Sequence, residues 1–327
     1  MIEITKETME KHGKNWEKMK NSISAYKEVS KRNIYLFDWL LFVFENAFLS
    51  CVDEKYKDSL SINKTRLTMI DTMIDDVADI PAGHSLNFLE EYLKILKNDG
   101  NVNYQEMNVN QVKRVKNTLV IWNEFMSDVR NYPRYTDFKT IFDFDLEQIA
   151  NSMKYSFIIN TNPKFNNIIE NRAYGHHGMT VIAARMLDLM CAPHFDMNDF
   201  ATAREIFYLS QQYARLGNLI NTYEREIGEG DISNELITLL MEEKIIDGES
   251  VRNLTDSKYN EILKEKMDEC YKYADQVYKQ IEQLSPKIKS FDTNKMLKEL
   301  KMVISLFSER PKYWLPEFKD KLFIGER

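Results

Sequence analysis

Residues 206–220 read IFYLSQQYARLGNLI, and the spacing of their apolar side chains indicates the fold class. Apolar residues recur every three or four positions, as on one face of an α-helix, and residues 37–48 (FDWLLFVFENAF) repeat the pattern. Runs that alternate apolar and polar side chains, which are typical of half-buried strands, are nearly absent. The 327 residues also include only 10 glycines and 7 prolines, too few for the many turns of a β-sandwich or barrel. The sequence therefore predicts an all-α protein.

Short breaks separate the predicted helices. They include DIPAGHS (79–85), NYPRYTD (131–137) and APHFDMND (192–199), and none resembles a flexible linker rich in serine and glycine. No repeat at the period of a helical solenoid is recognisable. We therefore expect residues 1–327 to form a single domain, an α-helical bundle of about ten helices.

The composition restricts the partners and the cellular compartment. The formal charge is −7, from 44 basic and 51 acidic residues mixed along the chain, so we expect no nucleic-acid partner. Cys51, Cys191 and Cys270 are too few and too far apart to suggest a disulfide framework or a thiolate metal site. The first 20 residues are polar, unlike a signal peptide, and no apolar run is long enough to span a bilayer. The sequence thus favours a soluble, cytoplasmic protein without a membrane span, and it leaves a homodimer open.

A first candidate site is the acidic stretch DTMIDDVAD (71–79). Asp71, Asp75 and Asp79 are four residues apart and stack along one side of a helix, while Asp76 lies about 100° around the axis. Carboxylates this close repel one another, and it is unfavourable to place them on an otherwise apolar helix. Mg²⁺ relieves such repulsion, since it binds a few carboxylates together with substrate phosphate oxygens. An ordinary solvated helix face is the alternative, which this stretch alone does not exclude.

A second candidate site is NLINTYERE (218–226), near the end of a long predicted helix. Asn218, Thr222 and Glu226 share one helix face, and their amide, hydroxyl and carboxylate oxygens form a suitable ligand set for one Mg²⁺ ion. Arg225 adds a fixed positive charge that suits phosphate oxygens. Asn, Thr and Glu are also common on helix surfaces, so a solvated face is again the alternative.

Residues 198–205 (NDFATARE) provide an internal comparison. Asn198 and Thr202 are four residues apart, as in the second candidate site, but Glu205 falls one residue early and about 100° off their line. This stretch cannot close on one ion. It predicts instead a helix start with a capping Asn.

Together, the two candidate sites resemble the metal-binding motifs of class I terpene synthases. DDVAD (75–79) matches the aspartate-rich DDxxD motif, and NLINTYERE matches NDxxSxxxE, with Leu219 in place of the usual Asp. The order and separation of the motifs and the chain length are similar to the single α-domain of bacterial members. The resemblance implies the class I terpenoid synthase fold. The presence of only one DDxxD argues against a chain-elongating prenyltransferase.

The segment that begins at Arg172 also resembles the family. Arg172 lies 46 residues before Asn218, at the spacing of the arginine with which the family senses diphosphate. It is followed by AYGHHG (173–178), whose two glycines can break a helix. His176 and His177 could be shell residues around the site, a proton acceptor, or polar residues at a helix break, and we favour the last.

The resemblance implies a mechanism that depends on three Mg²⁺ ions bridged by the diphosphate of an isoprenyl substrate. The implied metal ligands are Asp75, Asp76, Asp79, Asn218, Thr222 and Glu226. The implied diphosphate-binding residues are Arg172, Arg225, Arg310 and Tyr313, of which the last two lie in SERPKYW (308–314) and match the family's Arg-Tyr pair only in part. We expect Arg172, Asp75 and Asn218 to matter most for catalysis, because they stabilise charge on the leaving diphosphate while the allylic C–O bond ionises.

The resulting cation must be kept from water in an apolar pocket with aromatic faces. The aromatic residues that we expect to supply these faces are Phe42, Phe44, Phe48, Phe157, Tyr174 and Trp314. The substrate stays open among farnesyl, geranylgeranyl and copalyl diphosphate, and we lean towards a sesquiterpene or diterpene cyclase. The competing hypothesis is a non-catalytic helical scaffold whose acidic patches bind a protein partner.

Overall fold

A computed structural model describes residues 6–30, 32–97, 101–248, 250–251, 254 and 259–302 of the chain. In these ranges helices alternate with turns and loops, and no residue lies in a β-strand. The predicted all-α class is therefore confirmed.

The α-helices in chain order are α1 (Lys6–Lys18), α2 (Lys20–Lys27), α3 (Tyr35–Phe44), α4 (Lys57–Ala78), α5 (Leu86–Leu93), α6 (Val109–Val129), α7 (Tyr135–Thr161), α8 (Ile168–Tyr174), α9 (Val181–Met190), α10 (Phe200–Glu229), α11 (Glu235–Glu242) and α12 (Asn260–Leu284). Residues 293–302 are helical as well. The described residues thus contain a few more helices than the ten or so that were predicted, because α1 and α2 are separate helices, as are α8 and α9. That residues 1–327 form a single domain stays a prediction.

Local signals in the sequence set several helix ends. Ser85 caps α5 by accepting a hydrogen bond from the backbone N–H of Phe88. Asn108 and Gln111 form a capping box at the start of α6. Helix α10 ends at Gly230, which takes a left-handed conformation with φ of 78° one turn after Glu226. The second candidate motif therefore sits in the last turns of its helix.

Helix α4 is the central element of the bundle, packed against α3, α6, α7 and α9. Its apolar side chains Leu67, Ile70, Met73, Ile74 and Val77 are at most 1% exposed. Burying each such side chain is worth about 1.5–3 kcal/mol, so the position of α4 is strongly fixed. One contiguous apolar core extends from α2 to the helical residues 293–302. The DDVAD motif is thus carried by a helix at the centre of the bundle.

A buried ionic contact attaches α1 to α3. His12 Nε2 lies 2.9 Å from Asp38 Oδ1, and His12 Nδ1 lies 2.8 Å from Glu45 Oε2. Burial lowers the pKa of His12, but the two hydrogen bonds outweigh it and raise the pKa to about 9. His12 therefore carries a positive charge at neutral pH. Among the described residues, no helix is long and apolar enough to cross a membrane.

Candidate metal and diphosphate site

A cavity of about 830 Å³ lies between α3, α4, α9 and α10. Its wall contains all six predicted metal ligands, Asp75, Asp76, Asp79, Asn218, Thr222 and Glu226. The first three come from the end of α4 and the last three from the end of α10. The structure therefore brings the two candidate motifs, which are far apart in sequence, to one cavity.

The α4 wall carries one more acid than the motif predicts. Asp71 lines the cavity one turn before Asp75, and its Oδ1 is buried without a hydrogen-bond partner in the described part of the chain. Asp79 accepts a hydrogen bond of 2.7 Å from the hydroxyl of Ser156 on α7. The spacing of four residues along a straight helix explains why Asp71, Asp75 and Asp79 share this wall.

A further carboxylate, Asp231, follows α10 and lines the same cavity. Burial raises the pKa of Asp79 well above its usual range, and Asp231 and Asp75 raise it further. Burial and then Glu226 raise the pKa of Asp231 to about 6, and burial and then Asp75 raise that of Asp71. Burial and mutual repulsion thus both disfavour the charged forms of these carboxylates, and a bound cation would relieve both effects.

The α10 wall presents oxygen atoms of three chemical types. The Thr222 hydroxyl donates to the backbone carbonyl of Asn218 at 3.0 Å, so its lone pairs stay available. Glu226 is buried, and its Oε2 accepts a bond of 2.6 Å from the amide of Asn234. Its Oε1 accepts a bond of 3.0 Å from Arg225, which also lines the cavity. Glu226 is thus held in place by bonds from both sides.

Arg32 lies across the first motif, although no sequence motif marked it. Its Nε is 2.5 Å from Asp76 Oδ1, and its Nη2 is 3.4 Å from Asp75 Oδ2. Ser30, in the same connection between α2 and α3, donates a hydrogen bond of 3.1 Å to Asp76. Arg32 therefore supplies positive charge at the carboxylates that were predicted to bind metal.

Arg114 and Arg215 line the cavity as well, and both were missed by sequence reasoning. Arg114 lies 3.7 Å from Asp76 and donates to the backbone carbonyls of Met73 and Val29. Arg215 donates to the carbonyl of Ser233, while its Nε is buried without a partner among the described residues. Each is an isolated arginine within a helix, so its role depends on tertiary packing that periodicity does not report.

Arg172 does not line the cavity. Its Nε and Nη2 each lie 2.7 Å from Glu235 Oε1, and its guanidinium lies 4.3 Å from the ring centre of Tyr273. Arg172 thus links α8 to α11 and α12. Arg310 and Tyr313, the other two residues predicted to bind diphosphate through the C-terminal pair, lie outside the described residues.

The predicted helix break after Arg172 is present in the structure. Helix α8 ends at Tyr174, a 3₁₀ turn covers Gly175–Met179, and α9 begins after Thr180, which has φ of 56°. A left-handed conformation is strained for a β-branched residue, and such strain is often found at functional sites. Thr180 lines the cavity, as do Gly175 and Gly178. The break therefore forms part of the cavity wall.

The two histidines of this turn face away from the cavity. The rings of His176 and His177 lie 4.2 Å apart and both pack against Tyr208, and neither lines the cavity. His176 Nδ1 donates to the carbonyl of Arg172 at 2.6 Å. Burial lowers the pKa of His176 to about 4 and that of His177 to about 3. Both rings are therefore neutral near pH 7 and belong to the packing behind the turn.

The cavity wall also carries apolar side chains. The apolar lining residues are Val29, Leu36, Leu40, Val43, Phe44, Ala47, Ile80, Ala82, Met153, Met179, Val181, Ala184, Ala214 and Leu300. Of the aromatic residues expected to line a pocket, Phe44 does so, whereas Phe42, Phe48 and Phe157 are buried elsewhere in the bundle. Tyr174 is 40% exposed and contacts Tyr155, which is a lining residue that the sequence did not predict. Trp314 lies outside the described residues.

The donor set fits Mg²⁺ bound together with a phosphate-bearing ligand. Within the described ranges, no three His, Cys, Asp or Glu side chains converge on one metal position. Mg²⁺ does not require such a cage, because it commonly binds one or two carboxylates and completes its shell with phosphate oxygens and water. The partnerless oxygen of Asp71 and the mixed oxygens of the α10 wall are ligands of this kind.

Comparison with models of known protein families and with curated proteins finds no match to this chain. The resemblance to class I terpene synthases therefore rests on the motifs in the sequence.

Proposed function

We propose that the protein is a class I terpene synthase, which ionises an isoprenyl diphosphate with the help of Mg²⁺ and cyclises the resulting cation. One observation carries the proposal: two separate sets of oxygen ligands, on α4 and α10, line one cavity whose wall also carries many apolar side chains. An isoprenyl diphosphate needs polar ligands beside apolar wall, because its head group is charged and the rest of it is a hydrocarbon chain.

The residues of the head-group end have distinct tasks. Asp75, Asp79 and Asp71 would hold Mg²⁺ on the α4 wall, and Asn218, Thr222 and Glu226 on the α10 wall. When bound, Mg²⁺ stabilises negative charge on the leaving diphosphate. Arg32, Arg114, Arg215 and Arg225 line the same cavity, and their guanidinium groups would donate charge-assisted hydrogen bonds to the same oxygens. Their preorganised charge favours departure of diphosphate without a protein nucleophile.

The apolar side chains of the wall would exclude water from the allylic cation that is left behind. The aromatic residues Phe44 and Tyr155 also line the cavity and are available to stabilise the cation. The volume of about 830 Å³ lies in the upper part of the range of about 300–1,000 Å³ typical of ligand pockets. This size suits a sesquiterpene or diterpene precursor, so farnesyl, geranylgeranyl and copalyl diphosphate are all candidates.

The scaffold hypothesis requires acidic patches that a protein partner can reach. Asp71, Asp79 and Glu226 are each less than 9% exposed, and they line a cavity rather than a convex surface. This placement favours a small ligand over a protein partner. The cytoplasmic location and the homodimer stay predictions.

The test is turnover of the three candidate diphosphates, followed by mass spectrometry of the hydrocarbon extract. We expect a terpene hydrocarbon or alcohol with Mg²⁺ and none with EDTA. Asp75→Ala and Asn218→Leu should abolish product formation with the fold retained. Glu205→Ala is the matched control, because Glu205 lies on α10 outside this cavity and should leave turnover nearly intact. Equal losses from Asn218→Leu and Glu205→Ala would contradict the proposal.

A further inference from the structure

The cavity has a second polar region, at the end remote from the acidic motifs. Lys64 lines the cavity on the same face of α4 as Asp71 but seven residues earlier, which places it about 10 Å further along the helix axis. Arg185 on α9 lines the cavity as well. The mechanism proposed above needs only apolar wall at this depth, so it leaves both cations unexplained.

Lys64 and Arg185 share their partners. Lys64 Nζ lies 2.6 Å from Asp188 Oδ1, and Arg185 Nη1 lies 3.0 Å from Asp188 Oδ2. Both also donate to the backbone carbonyl of Ala47, at 3.2 Å and 3.4 Å. The two cations therefore form one cluster, in which a single carboxylate is shared between them.

This cluster has donors to spare. The hydrogen bonds of Arg185 within the described chain all use Nη1, so Nε and Nη2 are left without an acceptor there. The side chain of Arg185 is only 11% exposed, and that of Lys64 is 1% exposed. Buried N–H groups in native proteins nearly always find an acceptor. Nη1 of Arg185 donates to both the Ala47 carbonyl and Asp188. Its Nε and Nη2 are therefore available to a group inside the cavity.

Two acids accompany the two cations at this end of the cavity. Asp188 contacts both cations, and Glu299 lies near them. Burial raises the pKa of Glu299 and lowers that of Lys64. Glu299 Oε2 is buried without a hydrogen-bond partner among the described residues. A hydrocarbon chain end at this position would leave the remaining Arg185 donors without an acceptor, and this is unfavourable. An oxygen acceptor would meet the donors that the cluster offers.

We propose that Lys64 and Arg185 form a second subsite, which binds an oxygen-bearing group, a hydroxyl or a carboxylate, at the end of the substrate remote from the diphosphate. The inference rests on the proposed function for the diphosphate end. It adds to the three candidate substrates an isoprenyl diphosphate that carries such a group at its far end.

Saturated ligands test the subsite by binding alone, because they cannot ionise to an allylic cation. Calorimetry in the presence of Mg²⁺ measures the affinity of three ligands: dodecyl diphosphate, its analogue with a terminal hydroxyl and its analogue with a terminal carboxylate. A hydrogen bond to a charged donor is worth about tenfold in affinity, so at least one substituted ligand should bind about tenfold more tightly. The Lys64→Met and Arg185→Met variants should lose this preference, and the matched control Lys139→Met, on an exposed face of α7, should keep it.

The possible outcomes separate the subsite from the diphosphate site. Equal affinity of the wild-type protein for all three ligands would overturn the second subsite while leaving the diphosphate site intact. No binding of any of them, nor of Mg²⁺ with pyrophosphate, would overturn the proposed function and the subsite with it. If Lys64→Met does not fold, the wild-type comparison and Arg185→Met still distinguish a subsite from an apolar wall.

Discussion

Asp231 offers a sharp test of the charge balance in the cavity. Its Oδ1 accepts hydrogen bonds from Asn160 Nδ2 at 2.9 Å and from the Ser233 N–H at 2.8 Å. Its Oδ2 accepts from the Ser233 hydroxyl at 3.1 Å. In Asp231→Asn the amide oxygen can keep the first two bonds, and the amide nitrogen can donate to the hydroxyl. The substitution therefore removes a charge and leaves the contacts in place.

The expected gain in stability follows from the pKa of Asp231. Burial and then Glu226 raise this pKa from its ordinary 3.8 to about 6. Because the folded protein holds the proton more tightly than the unfolded chain, stability falls as pH rises from about 4 to about 6. A shift of two units corresponds to about 3 kcal/mol, which is the upper limit of the penalty above that window. Asp231→Asn should recover a large part of it near pH 8 and almost nothing near pH 4.

The assay is urea unfolding with EDTA at both pH values, with ΔG of unfolding taken from linear extrapolation. Asp268→Asn is the matched control, because Asp268 lies on an exposed face of α12, and it should change little at either pH. An Asp231→Asn protein no more stable than wild type near pH 8 would refute the reasoning. So would an equal gain at both pH values.

Three further predictions concern charged side chains around the bundle. Arg32→Met should tighten Mg²⁺ binding about three- to fivefold, since it removes a partly exposed cation from the Asp76 carboxylate. Calorimetry measures this affinity, and an unchanged value would show that Arg32 does not compete with the metal. His12 keeps its proton in the folded protein up to about pH 9, so stability should fall as pH rises from about 6.5 to 9. His12→Gln should flatten that slope in pH-dependent urea unfolding, and a slope that persists would rule out His12 as its source. Arg172→Met should destabilise the protein by about 1–3 kcal/mol, because Glu235 loses its partner, yet leave the affinity for Mg²⁺ with pyrophosphate unchanged. A large loss of that affinity in calorimetry would favour the diphosphate-binding role predicted from the sequence.

Features that depend on local spacing could be predicted from the sequence. The apolar period of three to four residues indicated the all-α class, because a helix buries one face whatever its neighbours are. The same geometry placed Asn218, Thr222 and Glu226 on one face, and they line one cavity. The glycines after Arg172 indicated a break, and α8 and α9 are separated there. Each of these results follows from the chain within a few turns of helix.

Features that depend on distant packing could not be predicted in this way. Arg32 reaches Asp75 and Asp76 across more than forty residues of sequence, and no motif announces the contact. Arg172 was matched by its spacing alone, and only the fold shows that Glu235 is its partner. Phe44 lines the cavity on one face of α3, whereas Phe42 lies on another face of the same helix. The period places the two residues on different faces, but only the packing of α3 against α4 decides which face meets the cavity.

The proposed function depends on one claim, that the motifs on α4 and α10 bind one ligand from two sides. Thermal unfolding with Mg²⁺ and pyrophosphate tests it directly, since a ligand that binds only the folded protein must raise Tm. We predict a rise for wild type and for Glu205→Ala, and no rise for either Asp75→Ala or Asn218→Leu. A rise that survives both substitutions, or one that does not require Mg²⁺, would contradict binding between the two motifs.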